Sequence, residues 1–159
     1  MDVVLKTENG RFNLRVCGIL INDGKLLAMH DEVSPYYYLP GGRIKLHERA
    51  EDAILRELKE ELDLSAKIIR PLWVNQAYFL EEVSKDKFHE ICLYFLIYYT
   101  KSDLLERGDK FTRNEGKHTL TFEWLNFDGL GEKYLYPEFI KKEIFNLPKY
   151  LTLITESRD

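Results

Sequence analysis

The order of apolar and polar residues along this chain predicts mostly strands. Runs that are apolar throughout, or that alternate between apolar and polar positions, are typical of β-strands. The dipeptide Asn9-Gly10, a strong hairpin turn signal, separates the first two runs. The predicted strands are Val3–Thr7, Phe12–Ile21, Lys25–His30, Tyr36–Leu39, Ala66–Leu80, Ile91–Tyr99 and His118–Leu125, with a further edge strand at Tyr150–Thr155.

Apolar residues at helical spacing indicate two helices. The first is predicted over residues 48–62, and the second is expected to begin at Pro137 and to end before Pro148. Their buried stripes are Ile54, Leu55, Leu58 and Leu62 in the first helix, and Ile140, Ile144 and Leu147 in the second. The polar stretch Lys101–Lys117 lacks apolar periodicity, so we predict a long loop there.

The order of these elements favours an α/β or α+β fold. Strands, one helix, more strands and a last helix are expected to build a mixed sheet sandwiched between helices. At 159 residues the chain suits a single domain covering residues 1–159. We find no internal repeat, no low-complexity tract and no linker that would divide it.

Composition and charge narrow the classes of function. The formal net charge of -4 argues against a general nucleic-acid binder or a membrane-surface protein, which would need a basic patch. No apolar run reaches 18 residues and the start has no basic signal region, so we expect a cytoplasmic protein. Cys17 and Cys92 lie in apolar strands and are expected to be reduced core thiols.

Acidic residues are concentrated on the first predicted helix. Residues 48–63 hold seven carboxylates and three bases, a local balance equal to the net charge of the whole chain. Glu57 and Glu61 stand one turn apart on one helical face, with Glu60 beside them. Like charges at this spacing destabilise a bare helix by roughly 0.2–0.5 kcal/mol per pair. A divalent cation such as Mg²⁺, which prefers oxygen ligands, would offset that repulsion.

The same stretch resembles the Nudix box, G-x5-E-x7-R-E-U-x-E-E-x-G-U, in which U is a bulky aliphatic residue. The matching residues are Gly42, Glu48, Arg56, Glu57, Leu58, Glu60, Glu61 and Leu64. Asp63 stands where the family has glycine, whose role is to end the helix in a left-handed conformation. Aspartate tolerates that conformation better than most residues, and the substitution leaves every acid of the box in place.

The resemblance implies a fold, a reaction and a set of site residues. The implied fold is an α/β/α sandwich with the box as a loop-helix-loop, and the implied reaction is hydrolysis of a nucleoside diphosphate linked to another group. Mg²⁺ or Mn²⁺ would be bound by Glu57, Glu60, Glu61 and a backbone carbonyl at the glycine turn, for which Gly41 is the candidate. Arg56 would hold the box carboxylates in place, and Glu48 would cap the helix and pair with Arg56.

Outside the box the sequence offers weaker candidates. In this family an acid from a later loop often completes the site, and Glu115 is the first choice here, with Glu90 and Glu123 as alternatives. Aromatic residues that could stack on a base are Tyr36, Tyr78 and Phe79. Which nucleotide is bound stays open, as does a homodimer formed through the terminal strand.

Two other functions are compatible with the same residues. A Nudix module could bind a nucleotide or sugar phosphate as a sensor without hydrolysing it, although such relatives usually have damaged boxes. An acidic helix could also dock a basic partner protein, which would require no specific binding of a divalent ion.

Overall fold

The computed structural model describes residues 1–158, which form ten strands and a few helices. The strands are β1 Val4–Thr7, β2 Gly10–Ile19, β3 Ile21–Asn22, β4 Lys25–His30, β5 Gly41–Arg43, β6 Ala66–Leu80, β7 Lys87–Tyr99, β8 Lys110–Glu115, β9 His118–Asn126 and β10 Thr152–Arg158. The helices are α1 Ala50–Leu62, α2 Lys101–Leu105 and α3 Ile140–Glu143, with a 3₁₀ turn at Phe127–Glu132.

The strands form two sheets. The larger has the order β1-β2-β7-β6-β10, and β5 pairs with β2 as well. It is mixed, because β2 pairs with β7 and β6 with β10 in parallel, whereas the other pairs are antiparallel. The smaller sheet has the order β3-β4-β9-β8 and is antiparallel. The predicted mixed sheet and fold class are confirmed.

Two hydrophobic cores lie on opposite faces of the larger sheet. On one face, Val16 and Phe95 pack with the apolar stripe of α1, including the fully buried Leu58. On the other face, Trp73 and Tyr94 pack with the residues around α3 and the 3₁₀ turn. The alternation of side chains along β2 and β7 supplies both cores at once.

Several predicted elements differ from the structure. The predicted loop Lys101–Lys117 contains α2 and β8, because Leu104 is buried and β8 pairs along β9. Phe111 stacks on Phe122 across this pair, a contact that local periodicity does not reveal. The predicted strand Tyr36–Leu39 is reduced to isolated bridges, and the last predicted helix to the single turn of α3.

Element boundaries also shift at several places. β7 begins at Lys87 rather than Ile91, and α1 begins at Ala50, which leaves Glu48 outside the helix. Cys17 and Cys92 are free and buried, as expected for core thiols. Within residues 1–158 no helix combines the length and the apolar composition that a membrane crossing would require.

Candidate active site

The glycine turn and the acidic helix meet at β5. The N–H of Gly41 donates a hydrogen bond to Oε1 of Glu61 over 2.9 Å. A Cβ at Gly41 would collide with the carbonyl oxygen of Val16, and a Cβ at Gly42 would overlap the carboxylate of Glu57. Both glycines are therefore required by close approach, one to a neighbouring strand and the other to a helix carboxylate.

Glu61 is a buried acid, and Glu57 beside it is partly buried. The side chain of Glu61 is only 6 % exposed, and burial, followed by the charge of Glu57, raises its pKa well above the usual value. Burial also raises the pKa of Glu57, although the neighbouring Arg56 acts in the opposite direction. The charge of Glu57 adds to the raised pKa of Glu61, and the charge of Glu60 adds to that of Glu57, so these acids form an environment that a divalent cation would stabilise.

Arg56 organises the acids around it. Its guanidinium donates two hydrogen bonds to Glu48, over 2.8 and 2.9 Å, and one to Oε1 of Glu57 over 2.9 Å. A fourth, over 3.1 Å, goes to the carbonyl oxygen of Arg43 in β5. The arginine thus ties the loop, the helix and β5 together through a two-pronged contact that lysine cannot reproduce.

Glu48 pairs with Arg56 but does not cap the helix. The hydrogen bonds from Arg56 lower the pKa of Glu48 to about 2, and a further bond from the N–H of Lys45 acts in the same direction. The N-cap residue of α1 is Arg49, which makes no side-chain capping bond. The predicted capping role of Glu48 is therefore wrong, because the carboxylate is already engaged by the loop and by Arg56.

The donors fit a hard cation only in part. No group of three or more His, Cys, Asp or Glu side chains is arranged as a metal site within residues 1–158. Glu57 and Glu61 supply two buried carboxylates of the type that Mg²⁺ prefers. Glu60 is 49 % exposed and its carboxylate lies at the edge of hydrogen-bond distance from Arg56, 3.4–3.5 Å away. It is thus the least enclosed of the three acids.

A cleft of about 500 Å³ extends from the glycine turn across the larger sheet. Gly41, Gly42 and Glu61 line one end of it, and Glu115 lines the same cleft from the end of β8. The charge of Glu115 contributes to the raised pKa of Glu61, which places the two carboxylates within electrostatic reach. The acid selected from a predicted loop therefore lies beside the box, although it belongs to a strand.

The three aromatic candidates divide between two clefts. Tyr36 and Phe79 line the cleft that holds Glu61. Tyr78 does not: it lies on the opposite face of β6, 38 % exposed, against the ring of His89 in a separate apolar cleft. Because neighbouring residues of a strand point to opposite faces, Tyr78 faces away from the cleft that holds Glu61, whereas Phe79 lines both clefts.

Comparison with known proteins decides the family. The family model described as NUDIX domain matches residues 11–146. The chain belongs to the Nudix family. No curated protein sequence matches it.

Solved structures share this Nudix fold at low sequence identity. The Escherichia coli ORF135 protein is 22 % identical, with a TM-score of 0.53, over 81 % of this chain and 84 % of that one. An ADP-ribose pyrophosphatase from Streptococcus suis is 15 % identical, with a TM-score of 0.54, over 92 % and 98 % of the two chains. A UDP-X diphosphatase is 18 % identical, with a TM-score of 0.57, over 84 % and 59 %.

In this Nudix protein, Asp63 ends the helix of the box in place of the family glycine. Asp63 adopts the left-handed conformation, with φ 49° and ψ 43°. Its N–H donates to the carbonyl oxygen of Lys59 and that of Leu64 to the carbonyl oxygen of Leu58, which closes the helix. Leu64 is buried in the core beneath α1. Aspartate therefore performs the helix-ending role of the family glycine.

The polar floor of the cleft is not among the features predicted from the sequence. Asn13, Arg15, Asn75, Glu156 and Arg158 all line it, and all come from strands of the larger sheet. Within residues 1–158, Arg15 takes part in none of the ion pairs. The signal available in the sequence was the alternation of Asn13 and Arg15 with Leu14 and Val16 along β2.

Proposed function

We propose that this Nudix protein is a divalent-metal-dependent pyrophosphohydrolase of a nucleoside diphosphate linked to another group. The observation that carries the proposal is the meeting of Glu57 and Glu61 with the Gly41–Gly42 backbone at one end of a cleft. Family membership supports the reaction class. Two solved structures with the same fold are named as an ADP-ribose pyrophosphatase and a UDP-X diphosphatase, which supports a diphosphate substrate.

Glu57 and Glu61 are the proposed metal ligands, together with the carbonyl oxygen of Gly41 and, at the exposed edge, Glu60. A bound Mg²⁺ or Mn²⁺ would neutralise diphosphate oxygens and lower the pKa of the attacking water. The chain holds these ligands in place through the hydrogen bonds of Arg56 to Glu57 and of Gly41 to Glu61. Arg56 is thus a positioning residue, since its donors are already used within the protein.

Arg15 and Glu115 are proposed to act on the substrate side of the cleft. Burial tends to lower the pKa of Arg15, but the charge of Glu90 and its other neighbours more than offsets this and raises it, so the guanidinium stays charged. It would bind the anionic oxygens of the diphosphate. Glu115, close to Glu61 and exposed to solvent, would accept the proton that the attacking water loses.

A hydrolysis screen tests the proposal. Nucleoside diphosphate sugars, dinucleoside polyphosphates and nucleoside triphosphates would be incubated with Mg²⁺, Mn²⁺ or a chelator, and the phosphorylated products identified. We expect metal-dependent release of a nucleoside monophosphate from at least one compound, and loss of that release in Glu57→Gln and Glu61→Gln. Glu51→Gln is the matched control, because Glu51 is an exposed acid of the same helix at a position that the box motif leaves unspecified.

The two rival functions give different results in the same screen. Tight nucleotide binding without turnover of any compound would support a sensing module instead. Full activity in both Glu57→Gln and Glu61→Gln would remove the proposed ligand roles. Absence of specific binding of divalent ions would favour a helix that docks a basic partner.

The role of Glu115 is tested separately. Glu115→Gln should lower kcat while leaving KM nearly unchanged, because a proton acceptor has been removed and substrate binding has not. Glu106→Gln is the matched control, since Glu106 is an exposed acid outside the cleft. An unchanged kcat in Glu115→Gln would assign the proton acceptor to another group.

Assembly and location remain predictions. The edge of β10 exposes Leu151 and Leu153 beside it, so a homodimer through this edge is proposed. Light scattering measures the mass in solution, and a monomeric mass at every concentration would contradict the dimer.

A cytoplasmic location is likewise a proposal, which fractionation of the source cells would test.

A further inference from the structure

The floor of the cleft is one face of the larger sheet, and its side chains stand in rows. One row is Arg15, Cys92 and Asn75, on β2, β7 and β6, and the next is Asn13, Glu90, Ala77 and Glu156, which ends on β10. Ala77 leaves space between the two carboxylates of its row. The rows lie between the glycine turn, which pairs with β2 at Cys17, and the aromatic side chains of Phe88 and Phe79.

Asn75 presents a buried oxygen that has no partner. The residue is 2 % exposed, and its Nδ2 donates to Oε1 of Glu156 over 2.9 Å. The other oxygen of Glu156 accepts the N–H of Phe139 over 3.0 Å, so the carboxylate is held on both sides. Because an ionised carboxylate only accepts hydrogen bonds, Asn75 must turn its nitrogen towards Glu156. Its Oδ1 is left without a hydrogen-bond partner in residues 1–158.

Asn13 presents a second oxygen of the same kind. It is also 2 % exposed, and its Oδ1 has no hydrogen-bond partner in the described part of the chain. A buried acceptor without a partner costs the protein roughly 1–3 kcal/mol. Two of them lining one cleft are therefore unfavourable in the free protein and become favourable when a bound molecule supplies donors.

The surrounding charge indicates which part of a ligand belongs there. Glu90 and Glu156 belong to the Asn13 row and would repel phosphate, whereas Arg15 stands in the row closer to the glycine turn. Arg158, the other arginine that lines the cleft, lies over the rings of Phe79 and Tyr136. The anionic part of a ligand is thus directed to the end with Arg15 and Glu61. The part over the two asparagines should be neutral and should donate hydrogen bonds.

Building on the proposed function, we infer that Asn13 and Asn75 form a specificity subsite that accepts hydrogen bonds from the nucleoside half of the substrate. β7 separates their strands by about 10 Å and the two residues stand one row apart, so their backbones lie about 12 Å from each other. One small group cannot satisfy both oxygens at that distance, but a base and its sugar can. The donors are an exocyclic amine of the base, a hydroxyl of the ribose, or one of each.

Binding measurements with paired probes separate these donors. ADP and purine riboside diphosphate, and likewise CDP and the pyrimidin-2-one riboside diphosphate, differ by the exocyclic amine alone, whereas inosine diphosphate and UDP would add a ring N–H donor. ADP and its 2′,3′-dideoxy analogue differ by the ribose hydroxyls. Calorimetry in EDTA and in Mg²⁺ gives the affinities without relying on turnover, so a failure of the hydrolase proposal does not affect this test.

The variants are Asn13→Leu and Asn75→Leu, which remove the acceptor oxygens while keeping a similar volume. Gln76→Leu is the matched control, because Gln76 is the neighbouring amide on β6, faces away from the cleft and bonds Thr155. Asn13→Leu should not lower the melting temperature, since it removes an unpaired polar group. Asn75→Leu should lower it, because Oε1 of Glu156 loses its donor.

The expected result is a preference for the donor-bearing member of at least one pair, of roughly 5- to 30-fold. Asn13→Leu, Asn75→Leu or both should abolish that preference and leave the affinity for the other member unchanged, and Gln76→Leu should retain it. If a variant loses the preference for the amine, the replaced asparagine binds the base. If it loses the preference for the hydroxyls, the replaced asparagine binds the ribose. Preferences that persist in both variants, or a wild-type protein that binds no probe, would overturn the inference.

Discussion

The two ends of the cleft differ in how their polar groups are satisfied. At the box, Glu48, Glu57 and Glu61 are charged or chargeable groups that already have donors, from Arg56 and from the Gly41 N–H. On the sheet floor, Asn13 and Asn75 are neutral, and each leaves an oxygen without a donor among residues 1–158. The first arrangement holds reactive groups in position before anything binds. The second gains its missing hydrogen bonds only from a ligand.

This difference separates two contributions to an enzyme's rate. Groups that hold a metal and a water affect the chemical step and should change kcat. Groups that bind a distant, unreacting part of the substrate should change KM or the preference among substrates. Substitutions at the two ends are therefore expected to give opposite kinetic signatures.

The largest effect is expected at Glu61. Glu61→Gln should lower kcat on the order of 100-fold or more, because it removes one of two buried carboxylates proposed to bind the metal. The amide oxygen can still accept the Gly41 N–H, so the melting temperature should not fall. Steady-state kinetics and calorimetric melting measure both quantities. A change in KM alone would place Glu61 with the binding residues instead.

A large effect on stability is expected at Arg56. Arg56→Ala leaves the partly buried carboxylates of Glu48 and Glu57 without their donor, which should lower the free energy of unfolding by about 2–3 kcal/mol. Urea denaturation measures the loss. Arg56→Lys should recover less than half of it, since lysine cannot make the two-pronged contact. If Arg56 bound phosphate instead, Arg56→Ala would raise KM and leave stability unchanged.

A smaller, pH-dependent effect is expected at Glu48. Its pKa is lowered to about 2 by Arg56, with the N–H and charge of Lys45 acting in the same direction. Since the pKa in the folded state lies below that in the unfolded state, this contribution is complete above about pH 4.5 and is lost as the pH falls towards 2.

Glu48→Gln removes that dependence. Its stability should be lower than wild type by about 1–2 kcal/mol at pH 7, and the difference should shrink as the pH falls from 5 to 2. Denaturant melts at several pH values measure this. A difference that stays constant with pH would show that Glu48 contributes through packing rather than charge.

The smallest effect is expected at Asp63. Asp63→Gly relieves the left-handed conformation but adds backbone entropy to the unfolded chain and removes an exposed ion pair with Lys59. These contributions nearly cancel, so the melting temperature and kcat should both stay nearly unchanged. A large gain in stability would mean that the departure from the family pattern costs more than inferred.

At the box end of the cleft, Glu57, Glu61 and Arg56 are close in the chain, so helical periodicity predicts that they share one helix. The contact of Glu61 with the glycine turn twenty residues earlier depends on how β5 packs against that helix, and the roles given to these residues stay predictions. Glu48 does not cap the helix, because its carboxylate accepts hydrogen bonds from Arg56 and from the backbone N–H of Lys45. The positions of these donors depend on tertiary packing.

Predictions outside the box were less complete. Tyr78 was assigned to the substrate although strand alternation places it on the face opposite Phe79. β8 was taken for a loop because its residues are stabilised by pairing with β9 rather than by a pattern of their own. The sequence predicts Glu115 as an acid of a loop near the site. In the structure it lies at the end of β8 and lines the cleft that holds Glu61.

By itself the sequence determined the strand-rich mixed fold, the carboxylate-bearing helix and the family, because each depends on spacing within a short stretch. Only the tertiary structure decided that Asn13 and Asn75 share one floor with Glu156, and that their oxygens lack partners. Which strands become neighbours depends on long-range packing of both cores. Whether a buried polar atom has a partner depends in turn on every chain segment around it.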